Sequence, residues 1–181
     1  MGWPVDVLEE SAVPPVSDVR RIPAIAAFVY PSGYDTSPLL ARVAHLLRLR
    51  DVALAGAIQH NDGAGAMSLE LLPSGRRMII SLPRAAAGAC KLDNCALADA
   101  ASVMRQALDA GPQLAIFNKF GAQEASGRGL HAEFAAAVLS ETPLLTAVSG
   151  SVLPRWTAFT GGADTRLDCT PEAALAWWDG L

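Results

Sequence analysis

The chain has 181 residues, 51% of them hydrophobic but only 6% aromatic, and a formal net charge of −4. That length suits one domain around a single core, and the mean hydropathy of +0.28 comes from Ala, Leu and Val rather than from large rings. No apolar run reaches the roughly 18 residues of a membrane span, and an acidic chain with a pI near 5.3 has no general attraction for phosphate backbones, so neither membrane nor nucleic acid is an expected partner.

Residues 1–21 hold Pro4, Pro14 and Pro15 among acidic residues, without helical or strand periodicity, and read as an extended arm. Asp6, Glu9, Glu10 and Asp18 precede any apolar stretch, the reverse of a secretory signal, so a cytoplasmic location is expected. Residues 22–181 read as one domain. Its first element is the apolar run Ile22 to Tyr30, the pattern of a parallel strand buried on both faces. After Pro31-Ser32-Gly33, Ser37-Pro38 heads an amphipathic helix carrying Leu39, Leu40, Val43, Leu46 and Leu47.

Val52 to Ile58 is a second strand. Met67 to Leu72 and Arg77 to Leu82 flank Pro73-Ser74-Gly75 and predict an inserted β-hairpin. Asp93 or Asn94 caps a helix running to about Asp109, and Gln113 to Phe117 is another buried strand. A helix near Leu130 to Leu139, a strand at Pro143 to Val148, a short helix after Pro154 and a last helix from Pro171 to Trp178 complete the alternation. Such alternation predicts an α/β fold, a mainly parallel sheet with helices on both faces, whose ligands bind outside the carboxyl ends of the strands. Trp177-Trp178 is expected to pack on the body or on a partner subunit. Three cysteines, Cys90, Cys95 and Cys169, make a disulfide framework improbable, and Cys90 with Cys95 lacks the paired spacing of a zinc site, so no metal is expected.

Two loops at that sheet edge carry the chemistry. A phosphate-binding loop reads Gly-x-x-x-x-Gly-Lys-Ser/Thr, its lysine reaching the terminal phosphates and its hydroxyl holding magnesium. Here the stretch is Tyr30-Pro-Ser-Gly-Tyr-Asp-Thr-Ser37: Asp35 replaces the second glycine, Thr36 the lysine, and only Ser37 keeps its type. Loss of the cation and gain of a carboxylate disfavour a triphosphate. A plain strand-to-helix turn capped by Asp35 or Ser37 is the simpler alternative.

At the end of Gln113 to Phe117, where a metal-dependent NTPase needs an acidic residue, the chain has Asn118-Lys119. A fixed cation there suits a bare oxyanion, with Ser32, Gly33, Thr36, Ser37, Asn118, Lys119 and Arg128 as candidate anion-binding residues. Lys119 can equally be a solvated loop residue or pair with Glu124. Glu124 and His131 are candidates for acid, base or metal-linked roles, and Arg155 can lie at the same edge or stack on Trp156. No catalytic residue is assigned.

Taken together, AAFVYPSGYDTSPLLARVAHLL, LELLPSGRRMII, IFNKFGAQEASGRGL and VLPRWTAFTGG resemble an uncharacterised bacterial domain-of-unknown-function family marked by an Asn-Lys-Phe-Gly loop. The order of elements is also similar to the nucleoside-triphosphatase family related to the cancer-associated NTPase, whose equivalent loop reads Asp-Glu-Ile-Gly-Lys-Met-Glu. Gly121 and Glu124 match that pattern; Asn118, Lys119 and Gly33 to Ser37 depart from it. The resemblance implies a three-layer P-loop-NTPase-like fold with degenerate phosphate chemistry. It also implies an association with molybdenum transport or cofactor genes, and hence molybdate or tungstate as ligand and a molybdenum-pathway protein or a second copy as partner. Divergent triphosphate hydrolysis and a regulatory protein-binding module are the competing expectations.

Overall fold

The computed structural model describes residues 24–62, 66–82 and 92–181. The arm expected at 1–21, the first residues of the strand expected from Ile22, and Cys90 lie outside the described residues.

The first apolar run forms β1 (Ile25–Tyr30), whose first four residues are buried, as a strand covered on both faces must be. It leads into α1 (Ser37–Arg48), which turns Leu39, Leu40, Val43, Ala44 and Leu47 inward at the predicted spacing. Thr36 rather than Ser37 stands at the cap, and Pro38 follows in the first turn, where its missing N–H costs nothing. Next come β2 (Leu54–Asn61), β3 (Met67–Leu71) and β4 (Arg77–Ile79), the last two forming the expected hairpin. The helix α2 (Asn94–Asp109) starts at Asp93, whose Oδ1 accepts the N–H groups of Cys95 and Ala96 at 3.0 and 3.1 Å.

The second half runs β5 (Leu114–Phe117), α3 (Ala122–Ala125), α4 (His131–Leu139), β6 (Leu144–Ser149), α5 (Leu153–Thr160), β7 (Asp164–Leu167) and α6 (Pro171–Asp179). The sequence reading does not contain α3 or β7. The four residues of β7 pair with β1 from Ile25↔Asp164 to Phe28↔Leu167 at the sheet's edge, where no continuous apolar run is required.

The seven strands lie in the order β4-β3-β2-β5-β6-β1-β7. The β2-β5, β5-β6, β6-β1 and β1-β7 pairs are parallel, and β3 is antiparallel to both its neighbours. This is the mainly parallel α/β sheet with an inserted hairpin, in a three-layer, P-loop-like arrangement. On one face α1 and α6 pack together over Phe28, Ile116 and Leu145, with Trp177 and Trp178 against this body rather than standing free. On the other, α2 and α4 cover Ala115, Phe117 and Leu144. Among the described residues no helix is long and apolar enough to cross a membrane.

One close approach locks the strand that carries the second loop. Gly56 in β2 has φ of 104°, and a Cβ there would overlap the carbonyl oxygen of Ile116 in β5. The loops after β1 and β5 therefore leave the same carboxyl edge of the sheet, with β6 between their strands.

Candidate functional site

After β1 the chain turns at Pro31 to Tyr34, closed by the Tyr34 N–H on the Pro31 carbonyl at 3.2 Å, with Gly33 at the left-handed corner. Ser32 and Gly33 are exposed on this turn, whereas Thr36 and Ser37 are buried at the head of α1. Asp35 Oδ1 accepts the Ser37 N–H at 3.0 Å. The donor that an incoming anion would use is thus already held by a carboxylate of the chain itself. Burial first, and the charge of Asp35 second, push the Tyr30 hydroxyl above its ordinary value of 10.0. An anion arriving here meets the Asp35 carboxylate next to the position where a phosphate-binding loop offers lysine, which Thr36 occupies.

The loop after β5 is built differently. Phe120 is buried, its ring 5.1 Å from Trp156, 5.2 Å from Phe159 and 5.4 Å from Phe134 between centroids. Its N–H donates to the Ala147 carbonyl at 2.9 Å, which extends the β5–β6 side of the sheet past the strand's end. With Phe117 and Phe120 both in the core, Asn118 and Lys119 are fixed between two anchors. Asn118 is 7% exposed; Lys119 is exposed and, among the described residues, makes no ion pair.

Glu124 closes this loop on itself. Its Oε2 accepts the Gly121 N–H at 3.0 Å and its Oε1 the Leu130 N–H at 3.1 Å, so one carboxylate clasps the residue before α3 to the residue before α4. Gly129, with φ of 60°, lies so close that a Cβ would overlap Glu124 Oε1. His131 Nδ1 lies 2.8 Å from the Glu124 carbonyl, and since a carbonyl only accepts, that nitrogen carries the hydrogen. The imidazole also stands edge-on to Phe159 at 5.4 Å. Both residues expected to serve as acid, base or metal-linked groups are therefore engaged in holding the loop's shape. Among the described residues no group of three or more His, Cys, Asp or Glu side chains could hold a metal. Arg155 donates to the Ala125 carbonyl at 3.2 Å and ties α5 to α3.

Between this loop and the inserted hairpin lies a cavity of about 300 Å³. Asn118, Lys119, Gln123 and Glu124 line one side; Gln59 of β2, Met67 and Leu69 of β3, Ile80, and Leu97 of α2 line the other. Asn118 Oδ1 is buried out of solvent reach, without a hydrogen-bond partner among the described residues, a condition that costs about 1–3 kcal/mol. Of the seven candidate anion-binding residues the cavity brings together Asn118 and Lys119; Ser32, Gly33, Thr36, Ser37 and Arg128 are not among its walls. A larger hollow of about 440 Å³ opens at the amino ends of β2 and β5, but its cation, Arg48, is engaged by the Leu72 carbonyl and by Glu70.

The apolar wall and the Phe120 anchor are absent from the sequence reading. A signal existed for each: the alternation of Met67 and Leu69 on one face of β3, and two phenylalanines bracketing a polar pair after a buried strand.

The family model described as "Protein of unknown function (DUF2478)" matches residues 25–177. The chain belongs to this family. It is also similar to the molybdenum import ATP-binding protein ModC 2 of Bradyrhizobium diazoefficiens, 39% identical over 160 residues. That similarity covers 85% of the chain but 18% of the relative, so the chain spans less than a fifth of that protein's length. No solved structure matches the chain. The matched residues include both loops, the hairpin and the cavity between the second loop and the hairpin.

Proposed function

We propose that this family member is a non-hydrolytic P-loop-like domain that binds a small anion in the Asn118–Lys119 cavity and serves molybdenum metabolism in the cytoplasm. The observation that carries the reading is an exchange of charge between the two loops. Asp35 holds the N–H of Ser37 where phosphate would sit, and Lys119 stands at the end of β5 where magnesium-dependent hydrolysis needs an acid. Neither half of a magnesium triphosphate site is supplied. A lysine at the end of β5 is instead suited to an oxyanion that brings no metal.

The similarity to a molybdenum import protein supports molybdate or tungstate as the inorganic candidates and a molybdenum-pathway protein as partner. Titration calorimetry with molybdate, tungstate, sulfate, phosphate and the organic oxyanion phenyl phosphate tests the reading: at least one binds, Lys119→Ala abolishes the binding, and neither ATP nor GTP releases phosphate. Absence of heat from all five overturns it. So does steady phosphate release that disappears in Lys119→Ala, which would make the chain a divergent triphosphatase.

A further inference from the structure

We infer that the ligand of the Lys119 cavity is a small organic anion, an apolar body carrying one oxyanion head, rather than a free inorganic ion. This rests on the reading above that Lys119 anchors the ligand's charge. The cavity's shape and lining carry it further. About 300 Å³ reaches the lower end of the range for small organic ligands, and a tetrahedral inorganic ion, with its handful of heavy atoms, would leave much of that space to water.

The composition of the walls is asymmetric. Met67, Leu69, Ile80, Leu92, Leu97 and Leu130 form an apolar surface, while Lys119, Asn118, Gln123, Gln59 and Glu124 supply the polar groups, the Glu124 carboxylate being held by the N–H groups of Gly121 and Leu130. Leu69 and Ile80 are themselves buried, so this wall is part of the core rather than a chance exposed patch. A dianion pressed against it would give up hydration without compensating hydrogen bonds, a severe penalty. An apolar ring or chain placed there gains about 25 cal/mol for each Å² it removes from water, while its oxyanion stays within reach of the Lys119 ammonium.

Asn118 lines the same cavity while its Oδ1 lies out of solvent reach, so the groups left to recognise a ligand are the Lys119 cation and the apolar wall from the hairpin.

The test uses the full chain and three probes compared by calorimetry: phenyl phosphate, inorganic phosphate and phenol. Phenyl phosphate is expected to bind at least tenfold more tightly than either of the others. Lys119→Ala should remove most of that affinity, and Leu97→Glu, which sets a carboxylate into the apolar wall on a helix that tolerates glutamate, should do the same with an unchanged circular dichroism spectrum. Inorganic phosphate or molybdate binding as tightly as phenyl phosphate, with Leu97→Glu indifferent, overturns the organic ligand and leaves the anion reading intact. Phenol binding as tightly as phenyl phosphate, with Lys119→Ala indifferent, overturns both. Should Leu97→Glu fail to fold, Met67→Gln at the half-buried strand position gives the same readout.

Discussion

The two loops at the carboxyl edge of the sheet begin alike, each leaving a buried parallel strand, yet they spend their polar groups in opposite ways. In the loop after β1, a carboxylate is turned inward onto the head of α1, and Ser32 and Gly33 are left on an exposed turn. In the loop after β5, the carboxylate of Glu124 is consumed by the loop's own N–H groups, and this leaves Lys119 beside a cavity. The difference teaches where a fold of this kind can keep a ligand site after its phosphate loop has lost its lysine. A helix N-terminus holding its own anion is closed to a foreign one, whereas a cation held in place by a buried neighbour remains available.

The strongest way to break the comparison is at the aromatic anchor. Phe120→Ala should cost about 3–5 kcal/mol in chemical denaturation, because the ring fills the space between Phe134, Trp156 and Phe159. Tyr34→Ala in the other loop removes a ring that is 44% exposed and should stay within about 0.5 kcal/mol. Equal losses would show that the two loops are anchored alike.

Next in size is Gly129→Ala, at φ of 60° and against Glu124, expected to cost about 1–3 kcal/mol and to weaken phenyl phosphate binding as the clasp opens. A stable variant with unaltered binding would separate the clasp from the cavity.

Asp35→Asn sharpens the first loop. It weakens the turn before α1 by about 1 kcal/mol at most, and it removes the charge that helps hold Tyr30 up, so the phenolate absorbance should appear at lower pH than in the wild type. Burial, the larger cause, stays, and the midpoint should remain above 10.0. The sign for stability follows: a group whose folded value is raised contributes fully below pH 10.0 and loses that contribution as pH climbs through the folded value. Wild-type stability should therefore fall above pH 10.0, and less steeply in Asp35→Asn. Smallest in stability is Lys119→Ala, an exposed residue without an ion pair among those described, which should change unfolding by less than about 0.5 kcal/mol while abolishing anion binding.

Much of this was legible because it follows from periodicity. The run through Ala26, Ala27 and Phe28 announces a doubly buried strand, the spacing of Leu39, Leu40, Val43 and Leu47 a helix face, and Pro73-Ser74-Gly75 a hairpin. Asp164 to Leu167 was not, since an edge strand paired only to β1 needs no such run. At the site, a polar pair following a buried strand marked Asn118 and Lys119. The engagement of Glu124 and His131 could not be read, because it depends on where the N–H groups of Gly121 and Leu130 and the carbonyl of Glu124 fall in space. Nor could the separation of the two loops, which comes from β6 lying between β1 and β5. Asp35 stands one residue before the Thr36 cap and accepts the N–H of Ser37 there, a contact that the sequence alone does not specify.

The most direct test of the central claim, that the anion site lies at the second loop and not at the head of α1, is amide chemical-shift mapping while molybdate or phenyl phosphate is titrated into the labelled full chain. The account predicts concentration-dependent shifts at Asn118, Lys119, Gln123 and Leu97 with Gly33 to Leu40 unmoved. Shifts confined to Ser32 to Leu40, persisting in Lys119→Ala, would contradict it.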